Sequence, residues 1–489
     1  MKKVILLTMS FFLTMVLYGP TGAFAAKVIK QSGKEIVAGT LLSKFPKVNA
    51  VNDPSKLSDM SDFDPNNPVV PTGDTIKIAI CYTFSGPAAY GGQLVFAYGQ
   101  WAAHDINKKG GILVDGKKKL IQLIPCDVNG TPDQARKNYE RMVLQEKVHV
   151  LAGSNGSVMT KIMNEVANKY KVIAWNYISW SDDLQNAENF GRYSFMSIIS
   201  TEQISRAMAY YYGQIRKKEN KFYLLNQDYS FGYKMAEGFK AGLKEYFPGA
   251  QVVGEDYHKL FLTDFAPYLE KIKASGAEVI YTSDWRPDSE NLITQTRQMG
   301  IDIPLANYYV DDPNTLSNIG VEKTKNLVQL SMYGTDSSFK TPAQIKYYTT
   351  WTNLWKNKWK NPYNTPSYKH LASNYGAYTE GIYWLLSAFE RAKSTNPEAM
   401  IKVLEGDSYQ YVNGKVLKMR ACDHKAIQDL YIFEFATPGL QKQSYTIPPY
   451  NWFDNTSYWG KPHLIPAEKI LPWMDQKLDR CKGKNNWGE

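Results

Sequence analysis

The sequence of 489 residues exceeds what one compact core organises and is long enough for two lobes with extensions. Its 44% hydrophobic and 21% charged content is that of a globular protein, and 34 Tyr and 12 Trp leave an excess of aromatics for a lined pocket. The net charge of +10 is scattered rather than clustered, which excludes the concentrated basic face of a nucleic-acid binder.

In chain order, Lys2 and Lys3, the apolar run Val4–Leu17 and then Ala23-Phe24-Ala25 read as an export signal over residues 1–25. Cleavage there starts the mature chain near Ala26. The apolar run is shorter than the ~20 residues of a membrane span and is closed by Gly19 and Pro20. No Cys stands beside the cleavage site to carry a lipid, so the expected location is the periplasm. Residues 26–75 form a polar extension, and Asn52–Asp74, rich in Pro, Asp and Asn, reads as a linker or surface strap.

Regular structure begins with a strand at Ile76–Cys81, then a helix from the Ser85-Gly86-Pro87 turn to Lys108, ended by Gly110 and Gly111. A strand at 120–125 precedes a helix capped by Thr131 with Pro132 in its first turn. Strands at 148–152 and 171–175 flank a helix that runs to about Tyr170. The alternation continues with helices at 202–218, 232–246, 264–275 and 288–299 and strands at 221–226, 250–255, 278–282 and 303–308. Such alternation predicts an α/β fold with parallel sheets and right-handed crossovers, and the length of the stretch requires two lobes. Helices at 341–360 and 370–393 follow, and residues 436–489, punctuated by six prolines, read as an ordered tail anchored by Trp452, Trp459 and Trp473.

Four cysteines suit an oxidising compartment, and their spacing contains no C-x-x-C metal pair. Cys81–Cys126 is the favoured disulfide because both residues end neighbouring strands, which leaves Cys422–Cys481 to tie down the tail. Gly111-x-x-x-x-Gly116-Lys117-Lys118 approaches a phosphate-binding loop but lacks the final Ser or Thr and sits between a helix and a strand. There is no G-x-S-x-G, no G-x-G-x-x-G, and no H-x-H or H-E-x-x-H among the six histidines. Asp423-His424 reads as a structural pair. No catalytic residue, metal or cofactor is therefore expected.

Open α/β sheets take ligands at the C-terminal ends of their strands. The loops there are Tyr82–Tyr90, Ser154–Ser157, Asn176–Asp183, Asn226–Tyr233, Ser283–Asp288 and Asn307–Asp312. Ser157 opens a helix after Gly153 and Gly156, where free N–H groups would receive a carboxylate. Tyr177, Trp180, Phe231, Trp285 and Tyr309 are candidate aromatic walls, with Tyr90 and Ser179 in the same set of loops. Asp228, Asp284, Arg286, Asp311 and Asp312 are candidate polar partners.

Several segments are similar to periplasmic leucine/isoleucine/valine-type binding proteins of ATP-driven (ABC) transporters. They are Ile76–Pro87, Ala103-x-Asp105-Ile106-Asn107-x-x-Gly110-Gly111, Thr131-Pro132-Asp133-Gln134-Ala135, Asp228-Tyr229-Ser230-Phe231-Gly232 and Leu316-Ser317-Asn318-Ile319-Gly320. Their order over residues 76–435 carries the resemblance. Arg420-Ala421-Cys422-Asp423-His424 looks like a subgroup feature.

The resemblance implies a type I periplasmic binding fold: two Rossmann-like lobes on a three-strand hinge, with crossovers near 198–200, 330–333 and 429–431. Lobe 1 would be 76–198 with 334–428, and lobe 2 would be 199–333 with 429–489, including the tail. It implies capture of a small solute by hinge closure, handover to a membrane permease, and a monomer without nucleic acid. Ser157 stands at the family's carboxylate-binding serine, while Phe231 and Trp285 stand at aromatics flanking the ligand. Trp180 replaces a carboxylate-binding threonine, and Tyr309 replaces the glutamate that holds the ammonium group. Those replacements favour an aromatic or hydrophobic carboxylate over an α-amino acid. A ligand-sensing receptor domain is the alternative, and a secreted hydrolase a more distant one.

Overall fold

The computed structural model describes residues 56–86, 89–310, 318–332, 376–412, 415–435 and 463–488, with residues 315, 346, 347, 350, 351 and 354 and the backbone of two N-terminal strands. The expected leader, most of the 341–360 helix, Asp311, Asp312, Trp452 and Trp459 lie outside the described residues.

The N-terminal strands β1 (Val28–Gln31) and β2 (Lys34–Val37) form an antiparallel hairpin. A first α/β unit then runs β3 (Ile76–Tyr82), α1 (Ala89–Lys108), β4 (Ile112–Val114), β5 (Lys117–Lys119), β6 (Ile121–Asp127), α2 (Pro132–Leu144), β7 (Val150–Gly153), α3 (Ser157–Tyr170), β8 (Ile173–Asn176) and β9 (Ser194–Met196). Five of these strands make one parallel sheet in the order β6-β3-β7-β8-β9. The apolar run of β3 is buried almost throughout, as expected of a central strand covered on both faces. Thr131 caps α2 by accepting from the Gln134 N–H at 3.3 Å. The sequence that approached a phosphate-binding loop is the β4–β5 hairpin, turned by Asp115 and Gly116, both at positive φ as a type I′ turn requires.

The second unit runs α4 (Thr201–Tyr210, continued by a π turn to Arg216), β10 (Lys221–Gln227), α5 (Ser230–Tyr246), β11 (Gln251–His258), α6 (Ala266–Ser275), β12 (Val279–Tyr281), α7 (Asp288–Gln298), β13 (Leu305–Asn307) and β14 (Leu327–Ser331). Next come α8 (Gly376–Ala392), which lies against α1 of the first unit, and α9 (Pro397–Leu404). A small antiparallel sheet follows, made of β15 (Ser408–Gln410), β16 (Val416–Met419) and β17 (Ala426–Ile427). The chain then returns to the second unit as β18 (Leu430–Glu434) and β19 (His463–Ile465). The second sheet has seven strands in the order β11-β10-β12-β13-β14-β18-β19, parallel up to β14 and antiparallel thereafter.

The chain thus passes between the units from Met196 to Thr201, again after Ser331, and again from Ile427 to Leu430. The first passage ends in a capping box in which Ser200 and Gln203 satisfy each other's backbone N–H groups.

Cys422 and Cys481 are disulfide-bonded, with Cα atoms 5.1 Å apart. The expected Cys81–Cys126 bond is corrected: both are buried free thiols. They stand directly opposite each other on the parallel pair β3–β6. Such neighbours lie about 4.8 Å apart with parallel Cβ directions, whereas a disulfide draws its Cβ atoms to about 3.8 Å. Strand adjacency is therefore not enough to bond them.

Candidate functional site

The C-terminal ends of both sheets converge on one aromatic cluster. In the first unit, Gly153 ends β7 at φ 102, and a Cβ there would lie 2.6 Å from the Cys81 carbonyl oxygen. Only glycine lets the Ser154–Ser157 loop leave the sheet this way. The N-cap of α3 is Gly156, so no side chain caps that helix, and its first N–H groups stay available to an anion. Ser157 opens the helix and is buried.

The neighbouring loop is fixed to this one. The Asn176 carboxamide oxygen accepts from the N–H groups of Ile178 (3.1 Å) and Ser179 (2.8 Å). The Ser179 hydroxyl donates to the Ser154 carbonyl at 2.8 Å and accepts from Thr160 at 2.7 Å. Ser179, expected among the lining residues, thus spends its hydroxyl on holding the loop.

That loop carries Tyr177 and Trp180, both buried. Tyr177 packs over Gly381 of α8, where a Cβ would lie 2.6 Å away, and against Tyr378, with centroids 6.1 Å apart. Trp180 reaches the second unit. It stacks on Tyr309 at 4.8 Å and 5°, and meets Tyr308 (4.0 Å) and Phe231 (5.9 Å) edge-on. Phe231, at the start of α5, also packs on Tyr229 and Tyr309. The Trp180 indole N–H and the Tyr177 hydroxyl are buried without hydrogen-bond partners among the described residues. Two polar groups aimed into an apolar setting in this way are costly unless a bound molecule satisfies them.

The remaining candidates are placed less uniformly. Trp285 is half-buried one ring behind the cluster, its indole N–H donating to the Tyr229 hydroxyl at 2.9 Å. Tyr90, in the first turn of α1, lies under the Arg286 guanidinium at 5.4 Å and so joins the two units at the edge of the cluster. Asp228 is exposed, and its carboxylate is taken by the hydroxyl of Tyr233, one turn into α5 and itself 39% exposed, so its charge faces solvent. Asp284 is fully buried and accepts from His258 at 2.9 Å. Burial raises the Asp284 carboxyl from its ordinary value. Burial opposes charge on His258, but the bond to Asp284, the charges of Asp284 and Asp288 and the Lys259 carbonyl together raise the imidazole.

Tyr82, Tyr229, Tyr308 and Tyr378 also belong to the cluster and were not singled out as aromatic walls. Burial and the surrounding phenols Tyr378, Tyr229, Tyr308 and Tyr82 push the Tyr309 hydroxyl well above its usual pKa, so it remains a neutral donor. Tyr308 and Tyr82 also carried the strand-end signal. Tyr378 sits on α8 and had none.

Polar contacts accompany the rings. Ser181 and Ser230 hydroxyls lie 2.9 Å apart, and Ser230 also contacts Asp183 at 3.1 Å. Asp423 and His424 do not form a dyad. Asp423 pairs with Arg420, while His424 stacks on Phe195 and bonds Ser194 and Glu405. Among the described residues no group of His, Cys, Asp and Glu is arranged to hold a metal ion, and no helix is long and apolar enough to cross a membrane.

Residues 75–439 match a sequence family described as "Periplasmic binding protein". The chain belongs to that family. Among its relatives is the "Leu/Ile/Val-binding protein homolog 4" of Brucella abortus, 26% identical over 262 residues, which are 51% of this chain and 60% of the relative. The "Leu/Ile/Val-binding protein" of Escherichia coli is 22% identical over 255 residues, 52% of this chain and 67% of that one. The aligned stretch spans about 60% of the length of the Brucella relatives. Two solved structures share the two-lobed type I fold. A leucine-, isoleucine-, valine-, threonine- and alanine-binding protein of Brucella ovis has a TM-score of 0.67 at 19% identity, covering 82% of this chain and 97% of that one. A solute-binding protein of an ABC transporter from R. palustris, solved with 4-hydroxybenzoate, has a TM-score of 0.63 at 19% identity, covering 81% and 98%. The motifs named in the sequence lie within the matched residues 75–439.

Proposed function

We propose that this periplasmic binding protein is the extracytoplasmic component of an ABC importer and captures an aromatic or otherwise hydrophobic carboxylate between its lobes. The lobes are 76–198 with 334–428 and 199–333 with 429–489. The leader 1–25 delivers the protein to the periplasm, where it works as a monomer, without enzymatic turnover, and hands its solute to a membrane permease.

The observation that carries this reading is the aromatic contact between the lobes: Trp180 of one against Tyr309, Tyr308 and Phe231 of the other. Flat rings on both sides suit a flat solute, and closure around it excludes water. The uncapped start of α3 at Ser157 suits its carboxylate. The Trp180 indole N–H and the Tyr177 hydroxyl suit a ring substituent that accepts hydrogen bonds. Tyr309, standing where the resemblance has an ammonium-binding glutamate, disfavours an α-amino acid.

The test is native mass spectrometry of freshly purified protein for a retained small molecule, followed by calorimetric titration with 4-hydroxybenzoate, phenylacetate, phenylalanine and leucine. Binding of the aromatic acids ahead of leucine is expected. Tight leucine binding with no aromatic-acid binding overturns the proposal.

A further inference from the structure

We infer that the C-terminal segment 463–488 is a fourth connection between the two lobes, anchored covalently on one of them, and that it restrains their opening. Sequence reasoning grouped this segment with the second lobe, but its contacts divide between the two. At its start, β19 adds to the edge of the seven-stranded sheet through β18, with Leu464 opposite Tyr431. The Ala467 N–H donates to Asp429 at 2.8 Å, and the Lys469 carbonyl accepts from the Tyr246 hydroxyl at the end of α5. Trp473 lies under the Arg206 guanidinium of α4 at 4.4 Å. All of these partners belong to the second unit.

Over overlapping residues the chain also meets the first lobe. The Pro472 carbonyl accepts from Arg420 at 2.7 Å. The Asp475 carboxylate accepts from the Ala187 N–H at 2.8 Å, in the segment joining β8 to β9 of the first sheet. Arg480 pairs with Glu405, donates to the Ala421 carbonyl at 2.9 Å and covers the Phe190 ring at 5.1 Å. Cys481 is bonded to Cys422, both buried, and Arg420 also donates to the Asn486 carbonyl at 2.9 Å.

Trp473 and Asp475 are two residues apart, so at most about 7 Å of chain separates a second-lobe contact from a first-lobe one. A hinge rotation through the three chain passages cannot leave both ends of this strap in place. The first-lobe end is held by a buried disulfide. The second-lobe end is held by two hydrogen bonds, an edge-strand ladder and a cation–π contact, so opening is taken up there. With the rings of Trp180, Phe231 and Tyr309 in contact across the gap, the strap is seated in a closed arrangement, and its contacts bias the equilibrium toward closure.

The test compares the full chain with two variants, Cys422→Ser/Cys481→Ser and Trp473→Ala, the latter with its disulfide intact. Small-angle X-ray scattering reads lobe separation, and amide hydrogen exchange reads the passages at 198–201 and 428–430, both without added solute. A larger radius of gyration and roughly threefold or faster exchange at those amides is expected in both variants. Folded variants whose scattering and exchange superimpose on the parent overturn the inference. If the double serine variant does not fold, Trp473→Ala decides by the same criterion. Neither readout uses a solute, so a negative solute screen leaves this result standing, and the reverse holds as well.

Discussion

Replacing Trp180 by alanine separates closure from folding. The indole leaves a first-unit loop, and its ring contacts to Tyr308, Tyr309 and Phe231 are all made to the second unit. Each such aromatic pair is worth about 0.5–1.5 kcal/mol beyond its buried area, so three together are worth about 2–4 kcal/mol. That loss falls on the contact between lobes rather than on either core. It corresponds to roughly a 30- to 1000-fold fall in the closed-to-open ratio, and the apparent Kd of a solute that needs closure rises by up to that factor, as the closed fraction falls. Titration with 4-hydroxybenzoate reads the affinity, scattering without solute reads the closed population, and circular dichroism reads the Tm. Trp180→Phe keeps most of the ring but deletes the indole N–H and should fall between the parent and Trp180→Ala. The reasoning is refuted if Trp180→Ala binds within about twofold of the parent, or if its Tm collapses while scattering of the folded fraction is unchanged.

Four further outcomes follow from named groups. Burial, and then the charge of Asp182, push the Glu202 carboxyl up to about 8, so the folded state holds a proton there that the unfolded state has lost. Stability from this group therefore falls as pH rises from the ordinary carboxylate range to about 8, and Glu202→Gln should flatten that decline in Tm; an unchanged slope would exclude it. Glu405 has the opposite sign: the bond to His424, with Arg480 beside it, lowers its carboxyl to about 2. Its contribution is complete above the unfolded pKa and is lost as pH falls toward 2, so the urea midpoints of parent and Glu405→Gln should converge on acidification and differ most near neutrality. Opening the Cys422–Cys481 bond, with a sequence separation of 59, should cost about 4 kcal/mol through denatured-state entropy, read as the urea stability of Cys422→Ser/Cys481→Ser against the parent. Ellman's reagent should find no reactive thiol in the native protein and two after denaturation without reductant, Cys81 and Cys126; none after denaturation would mean that these two are bonded.

Much of the fold was legible in the sequence because the central strands are apolar runs closed by turn residues. Ile76–Tyr82 reads as a buried strand for that reason, and Thr131-Pro132 marks a helix start by chemistry that acts locally. The strand-end rule pointed to Trp180, Phe231 and Tyr309, whose rings the structure brings together, because sheet polarity places those loops on one side. It did not find Tyr378, whose position depends on α8 packing beside Tyr177 about two hundred residues away in sequence. It also could not foresee that the Asp228 carboxylate turns outward to Tyr233, since that choice is made by one rotamer on an exposed helix start.

The cysteines and the tail show the same limit in two forms. Register places Cys81 opposite Cys126, and sequence order carries register, but bonding depends on Cβ directions, which parallel neighbours hold apart. In the tail, Trp473 and Asp475 look like one short polar stretch, yet one packs on Arg206 of α4 and the other holds Ala187. Two residues of sequence cannot say that a boundary between two rigid bodies runs between them. That boundary exists only once both sheets are assembled, and a segment crossing it acts on their relative motion as well as on stability.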